Sequence, residues 1–279
     1  MNYKKKYLKY KKKFFLLKRS IGKRKMFYQE TNFLQSFISL VRECNNIILN
    51  IYNTDFDVIS KDDSSPLTLA DQRSNEHICS FLNNFTNSII ISEENKNDSY
   101  RIRKSAEWCW LVDPIDGTKE FVKKNGQFTV NIGLCQFGVP VFGIVSIPVT
   151  GEIYYGIKGI GSYKLVGDVT TKLEIGMKDL NSRKLKIVAS SSHMNDETKK
   201  YIDNFVEPEI VNVGSSIKLL YIAEGKADVY PRIAPTSEWD TCAAHAVVKY
   251  AGGKVLQFGS DNEVKYNKEN LLNPYFVVY

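Results

Sequence analysis

The chain predicts a layered α+β and α/β architecture, an antiparallel first half followed by a second half of alternating strands and helices. Three observations predict it. Two helix-period stretches open the body, two β-branched runs meet at a single glycine, and short apolar strands alternate with helical segments from about residue 185 onward. A length of 279 residues suits one large domain or two closely packed ones. With 43% hydrophobic and 25% charged residues, the composition is that of an ordinary globular protein.

In chain order, Phe33, Leu34, Phe37, Val41, Ile48 and Ile51 recur at helical spacing and predict an amphipathic helix over Glu30–Tyr52. A polar break, KDDSSPLTLAD, leads into a second helix over residues 71–85, with Ile78, Phe81, Leu82 and Phe85 on one side. Ile89–Ile91 and Trp108–Val112 read as short apolar strands, and the polar Lys96–Glu107 between them reads as a mobile loop. Phe128–Phe137 and Val139–Val149, divided by Gly138, read as a tight hairpin, continued by Ile153–Ile157 and Ser162–Val166. Residues 167–184 are polar and carry no predicted element. Then follow strand Leu185–Ala189, helix Asp196–Phe205, strand Glu209–Val213, helix Ser215–Glu224, strand Asp228–Tyr230 and helix Glu238–Ala251, which Gly252-Gly253 would end. Strands near Val255–Phe258 and Phe276–Tyr279 close the pattern.

The net charge of +7 belongs to one end of the chain. Residues 1–29 hold ten Lys and two Arg and no acid, which leaves 26 basic against 31 acidic residues, a net −5, for the rest. An acidic body argues against a general nucleic-acid-binding surface, so no stable nucleic-acid partner is expected. The basic extension, residues 1–26, lacks the apolar core of a secretory signal, since Phe14–Leu17 is too short. It reads as a solvated arm in weak contact with an anionic surface, as an organelle-targeting segment, or as a nucleic-acid arm. No apolar run reaches the length of a membrane span. Five widely spaced cysteines and three histidines give no zinc pattern and fit a reduced, intracellular setting, cytoplasmic or, if the extension targets an organelle, mitochondrial.

Three acidic clusters fall where strands run out or a helix begins: Glu93-Glu94, Asp113 with Asp116, and Asp240. Hard oxygen donors of this kind suit Mg²⁺. Pro114 stiffens the turn between Asp113 and Asp116, so both carboxylates and the Ile115 carbonyl can face one point. Gly117-Thr118 would open a short helix whose amides meet an anion. Each cluster also has a plainer reading, since Asp-Pro and Asp-Gly form turns and paired Glu at a strand end is commonly solvated.

The string WLVDPIDGTKEFVKKNGQFTVNIGL, preceded by DDSSPLTLAD and ISEEN and followed by VGSSIKLLYIAEGKADVYPR and EWDTCAAHAVVKYAGG, resembles the inositol monophosphatase superfamily. Its TKEF form is similar to that of the 3'(2'),5'-bisphosphate nucleotidases, and the likeness covers about residues 30–279. The resemblance implies a layered αβαβα sandwich of the inositol monophosphatase and fructose-1,6-bisphosphatase type. In it, residues 27–170 would form a metal-binding α+β half and residues 171–279 an α/β half. Metal ligands would be Glu93, Asp113, the Ile115 carbonyl, Asp116 and Asp240, holding roughly two to three Mg²⁺ ions and conferring sensitivity to Li⁺. Asp71, with Thr118 and Glu93, would orient or deprotonate the attacking water. The amides of Gly117 and Thr118 would take the phosphoryl group, and Asp240, His193, Ser215, Lys218 and Arg232 would surround the nucleotide. His193, Ser215 and Lys218 also read as a loop residue, a helix cap and a solvated helix face, while His77 reads as structural and Trp239 and His245 as core or site-wall residues.

The implied reaction removes the 3'-phosphate from 3'-phosphoadenosine 5'-phosphate. An inositol phosphate is the rival substrate, and an inactive protein that binds through its basic extension is the alternative from another class. The SSSH segment lacks an Arg found in some bacterial relatives, which bears on nucleotide specificity rather than on catalysis.

Overall fold

After one turn of 3-10 helix at Phe27–Gln29, helices α1 (Thr31–Tyr52) and α2 (Leu69–Phe85) pack side by side. The computed structural model describes residues 26–60, 66–85, 88–176, 179–189 and 194–279. The basic segment 1–25, the acidic-serine stretch 61–65 and the candidate His193 lie outside them. The apolar spacing of α1 does what its period requires: Phe33, Phe37, Val41, Cys44 and Ile48 are buried on one face. Phe37 stacks on Trp110 with centroids 5.2 Å apart. Each such ring removed from water stabilises the fold by about 1.5–3 kcal/mol.

Between the two helices, β1 (Val58–Ser60) and β2 (Pro66–Thr68) form a small antiparallel ribbon. The sequence there reads only as a polar break. Next come β3 (Ile89–Ser92), α3 (Tyr100–Arg103), β4 (Trp108–Asp116), α4 (Thr118–Val122), β5 (Thr129–Gln136), β6 (Val139–Ile147), β7 (Glu152–Ile157), β8 (Gly161–Val166) and β9 (Val169–Leu173). The strands β3 to β9 lie in sequential order in one seven-stranded sheet, parallel at β3–β4 and antiparallel thereafter.

The second half supplies β10 (Lys186–Ala189), α5 (Asp196–Ile202), β11 (Glu209–Asn212), α6 (Ile217–Ala223), β12 (Tyr230–Arg232), α7 (Glu238–Tyr250), β13 (Val255–Gln257) and β14 (Phe276–Val278). Its strands make a parallel β10–β11 pair and an antiparallel β12–β14–β13 ladder, joined by a bridge between Ile187 and Val229. Alternation sorts their side chains to two faces. Val188, Phe276 and Val278 point into the cluster shared with α6 and α7, while Ile187, Ala189 and Val277 join Ile202 of α5 on the other side. The order of layers is therefore helices, large sheet, helices, small sheets, helix, as the αβαβα expectation requires.

Helix α7 lies directly on the large sheet because the strands beneath it carry no side chain at the contact. A Cβ on Gly143 would meet the Ala243 carbonyl oxygen at 2.1 Å, and one on Gly156 the Ala246 oxygen at 2.3 Å. This close approach sets the depth at which Asp240, in the first turn of α7, is presented.

Two further segments differ from the sequence reading. The polar Val169–Leu173 is an edge strand, exposed along most of its length, so it lacks the apolar alternation that marks a half-buried strand. The segment read as a mobile loop contains α3, and its Arg103 is buried. Arg103 donates to the carbonyls of Asp98, Lys268 and Glu269 and to the Asn267 side chain, tying this segment to the far end of the chain. A buried arginine leaves no hydrophobic signal to find.

Candidate active site

Strand β4 delivers its acids to the seam between the two halves. Its ladder with β5 runs in register to Asp113, then shifts before Asp116, so the chain bulges where Pro114 and Ile115 stand. Gly117 follows with φ of 94° and caps α4; a Cβ there would also meet the Gln127 carbonyl at 3.1 Å and Ser215 Cβ at 3.3 Å. Conformation and space both demand glycine. Asp113 is 1% exposed and accepts the Ile115 amide at 3.0 Å.

The first turn of α2 holds Asp71, also buried. One carboxylate oxygen accepts the Thr68 amide at 2.8 Å and the Thr68 hydroxyl at 2.5 Å. The other accepts the Thr118 hydroxyl at 3.2 Å, and that hydroxyl also stands 3.2 Å from the Ile115 carbonyl. Asp71, Thr118 and the β4 turn are thus one hydrogen-bonded unit. Glu93 occupies the turn after β3, its amide bonded to the Val112 carbonyl at 3.2 Å, which holds that turn beside the end of β4.

From the second half, the turn before α6 closes on the same place. Asp116 accepts the Ser215 hydroxyl at 2.6 Å and the Ser216 amide at 2.5 Å. Ser215 takes φ of 56°, a left-handed conformation that the cluster of bonds around it holds. The Ser216 hydroxyl donates to the Asp240 carbonyl at 2.7 Å and accepts from Asn131 at 2.9 Å. Asp240 in turn accepts the Ser237 amide at 2.9 Å as the reciprocal half of a capping box on α7. Sequence reasoning missed Thr68, Asn131 and Ser216. Small polar residues at turns and caps carry no motif of their own.

Electrostatics mark the spot. Burial raises the Asp113 carboxyl well above the usual range, and Glu93, Asp116, Asp240 and Asp71 add to the rise in that order. Asp240 is raised by burial and then by Asp116. Like charges gathered in a poorly solvated place repel, and a divalent cation is what would relieve them. As they stand, no three carboxylates, imidazoles or thiols among the described residues form a ready-made cation cage. The acids are drawn instead toward the hydroxyls and amides named above. The donor set, carboxylates with a backbone carbonyl, fits a hard oxygen-seeking cation and not a soft one.

Two basic groups flank the acids. Lys218 on α6 is 7% exposed, with its ammonium 5.8 Å from the centre of the Tyr230 ring. Burial lowers its pKa to about 8, with Asp116 opposing and Arg232 reinforcing the shift. The solvated-face reading of Lys218 does not hold. Arg232 donates to the Pro235 carbonyl at 2.8 Å, while its Nε is buried with no hydrogen-bond partner. Trp239 is partly buried against the core, and His245 is fully buried and bonded to Tyr266. His77 pairs with Glu43 at 2.9 Å on the helix surface.

The profile of the inositol monophosphatase family matches residues 29–274. The chain belongs to the inositol monophosphatase family. By that membership it is a phosphatase. It is 36% identical over 247 residues to the 3'(2'),5'-bisphosphate nucleotidase CysQ of Salmonella typhimurium, an alignment covering 88% of this chain and 98% of the relative. Among solved structures, CysQ from Bacteroides thetaiotaomicron is 40% identical with a TM-score of 0.77, covering 89% of this chain and 98% of that one. An IMPase/NADP phosphatase complexed with Mg²⁺ and phosphate shares the fold at 18% identity and a TM-score of 0.73, each chain covered to 88%. Among the described residues, no helix is long and apolar enough to cross a membrane.

Proposed function

We propose that this phosphatase is a Mg²⁺-dependent bisphosphate nucleotidase that hydrolyses the 3'-phosphate of 3'-phosphoadenosine 5'-phosphate to give AMP and phosphate. The observation that carries the reading is the buried Asp113, whose carboxyl is raised by burial and by the charges of four further carboxylates, Glu93, Asp116, Asp240 and Asp71, contributed by both halves. The names of relatives 36–40% identical over nearly the whole chain support the substrate class.

Glu93, Asp113, the Ile115 carbonyl, Asp116 and Asp240 would hold the cation, in a set of two to three ions by the family resemblance. When bound, Mg²⁺ supplies Lewis acidity toward the phosphoryl oxygens and toward water. The chain's own residues do the rest. The Thr118 hydroxyl spends its proton on Asp71 or the Ile115 carbonyl, which turns its lone pairs outward to accept from a water. That water attacks phosphorus as the bond to the 3'-oxygen breaks; its proton passes to the Asp71–Thr118 unit, and the leaving oxygen takes a proton from solvent. The amides of Gly117 and Thr118 at the start of α4 would meet charge developing on the phosphoryl group. Lys218 and Arg232 would hold the phosphate that is retained, the orphaned Arg232 Nε being a donor already stripped of water.

The test is phosphate release with Mg²⁺ across 3'-phosphoadenosine 5'-phosphate, its sulfated analogue, AMP and inositol 1-phosphate. Fastest turnover on 3'-phosphoadenosine 5'-phosphate is expected, with AMP left intact. Faster turnover on inositol 1-phosphate overturns the substrate assignment.

A further inference from the structure

Helix α2 carries Asp71 in its first turn and Asn75 one turn later on the same face. Asn75 is 7% exposed, and its amide bonds two residues of one turn and one residue of its own helix. Its Oδ1 accepts the Ser92 hydroxyl at 2.6 Å and the Cys79 thiol at 3.3 Å. Its Nδ2 donates to the Asn95 side chain at 2.8 Å, and Asn95 donates back to the Cys79 sulfur at 3.4 Å. Ser92 and Asn95 are the residues immediately before and after Glu93-Glu94. One side chain on α2 therefore brackets the turn that presents Glu93, from both sides. The Asn97 side chain completes the bracket from the opposite direction, accepting the Ser92 amide at 2.9 Å and donating to the Ser92 carbonyl at 3.0 Å.

We propose that Asn75 is a positioning residue that fixes Glu93 relative to Asp71 and Asp113. Because Asp71 and Asn75 share one rigid helix, the acid that handles the water and the acid that holds the cation are set in a common frame. Glu93 is the one proposed ligand that stands on a turn after a four-residue strand, so an outside brace matters more for it than for Asp113 inside β4. An asparagine suits the task because it accepts and donates at once, with no charge added beside an acidic site. The inference rests on the proposed role of Glu93 in holding Mg²⁺.

The experiment is a Mg²⁺ titration of the full-length wild type, Asn75→Ala and Asn95→Ala, read by thermal melting without substrate and by phosphate release. For Asn75→Ala the Mg²⁺ midpoint is expected to rise on the order of tenfold or more in both readouts, while KM for the bisphosphate stays near wild type. Asn95→Ala, which removes the Asn95 bonds to Asn75 and Cys79 but keeps the bond from Ser92 to Asn75, is expected to shift the midpoint less and in the same direction. An unchanged Mg²⁺ midpoint in melting, with only a lowered melting temperature, overturns the proposal. Should Asn75→Ala fail to fold, an unchanged midpoint in Asn95→Ala overturns it as well. A wild type that is stabilised by Mg²⁺ yet releases no phosphate overturns the nucleotidase reading instead, and the melting midpoints still decide the role of Asn75.

Discussion

Glu238 and Asp240 stand two residues apart in the first turn of α7, and they live in opposite electrostatic worlds. Glu238 is fully buried, yet its counter-charge is built in: Lys268 pairs with it, and the amides of Asn267 and Lys268 donate to it. Burial raises its pKa, and every other strong influence on it works the other way. Behind it, Arg103 grips the same 267–269 segment, so this region clasps the chain's last loop to the segment after β3. Asp240 is raised by burial and by Asp116 and Glu93, while the Ser237 amide and Arg232 work the other way. A structural acid in this protein brings its cation with it. An acid of the proposed metal site would be left for one to arrive.

Mutating the two acids should pull activity and stability apart. Asp240→Asn is expected to lower turnover on the order of 10² to 10³-fold or more while leaving the melting temperature equal or higher, because like-charge repulsion is relieved. Glu238→Ala is expected to cost about 3 kcal/mol of stability, with turnover per folded molecule near wild type. Denaturant melts beside initial rates check both; a Glu238→Ala enzyme that folds well and turns over slowly would erase the contrast.

The Asp71–Thr118 unit sharpens the same point on the water side. Thr118→Ala should lower kcat by about 10² with little change in KM, and Thr118→Ser should recover most of it, since the hydroxyl and its bond to Asp71 return.

A smaller effect concerns pH and Lys218. With its pKa lowered to about 8, the ammonium is charged below that pH and neutral above it. KM for the bisphosphate is therefore expected to rise as pH climbs past about 8, and Lys218→Met should show a high KM that no longer changes there. Stability moves the opposite way: the unfolded chain keeps this proton up to about pH 10.4, so the cost of burying the charge fades between about 8 and 10.4.

A further effect lies in the core. Burial, with Lys249 adding to it, lowers the His245 pKa to about 3. The unfolded imidazole takes a proton below about pH 6.5 and the folded one does not, so stability is lost as pH falls from about 6.5 toward 3. The slope approaches about 1.4 kcal/mol per pH unit. Comparing acid melts of wild type and His245→Asn isolates this slope from the buried carboxyls of Asp113, Glu238 and Asp240, whose raised pKa values act with the opposite sign.

The acids were legible in the sequence because each ends or opens an element whose apolar pattern is plain: Ile89–Ser92 before Glu93, Trp108–Val112 before Asp113, and the α7 pattern around Asp240. What braces them was not. Thr68, Asn75, Asn131 and Ser216 act through hydrogen bonds across 3 to 100 residues of chain, and nothing in local composition marks such partners. Arg103 and β9 escaped for the converse reason, the first being charged but buried and the second a strand but exposed. His193, assigned to the nucleotide by resemblance, lies outside the described residues.

Thermal melting of substrate-free wild type, Asp240→Asn and Glu238→Gln against increasing Mg²⁺ tests the central contrast most directly. Wild type and Glu238→Gln should gain stability with the ion, from different starting points, and Asp240→Asn should gain much less. Equal gains in all three, or none in wild type, would contradict a site whose acids await a divalent cation.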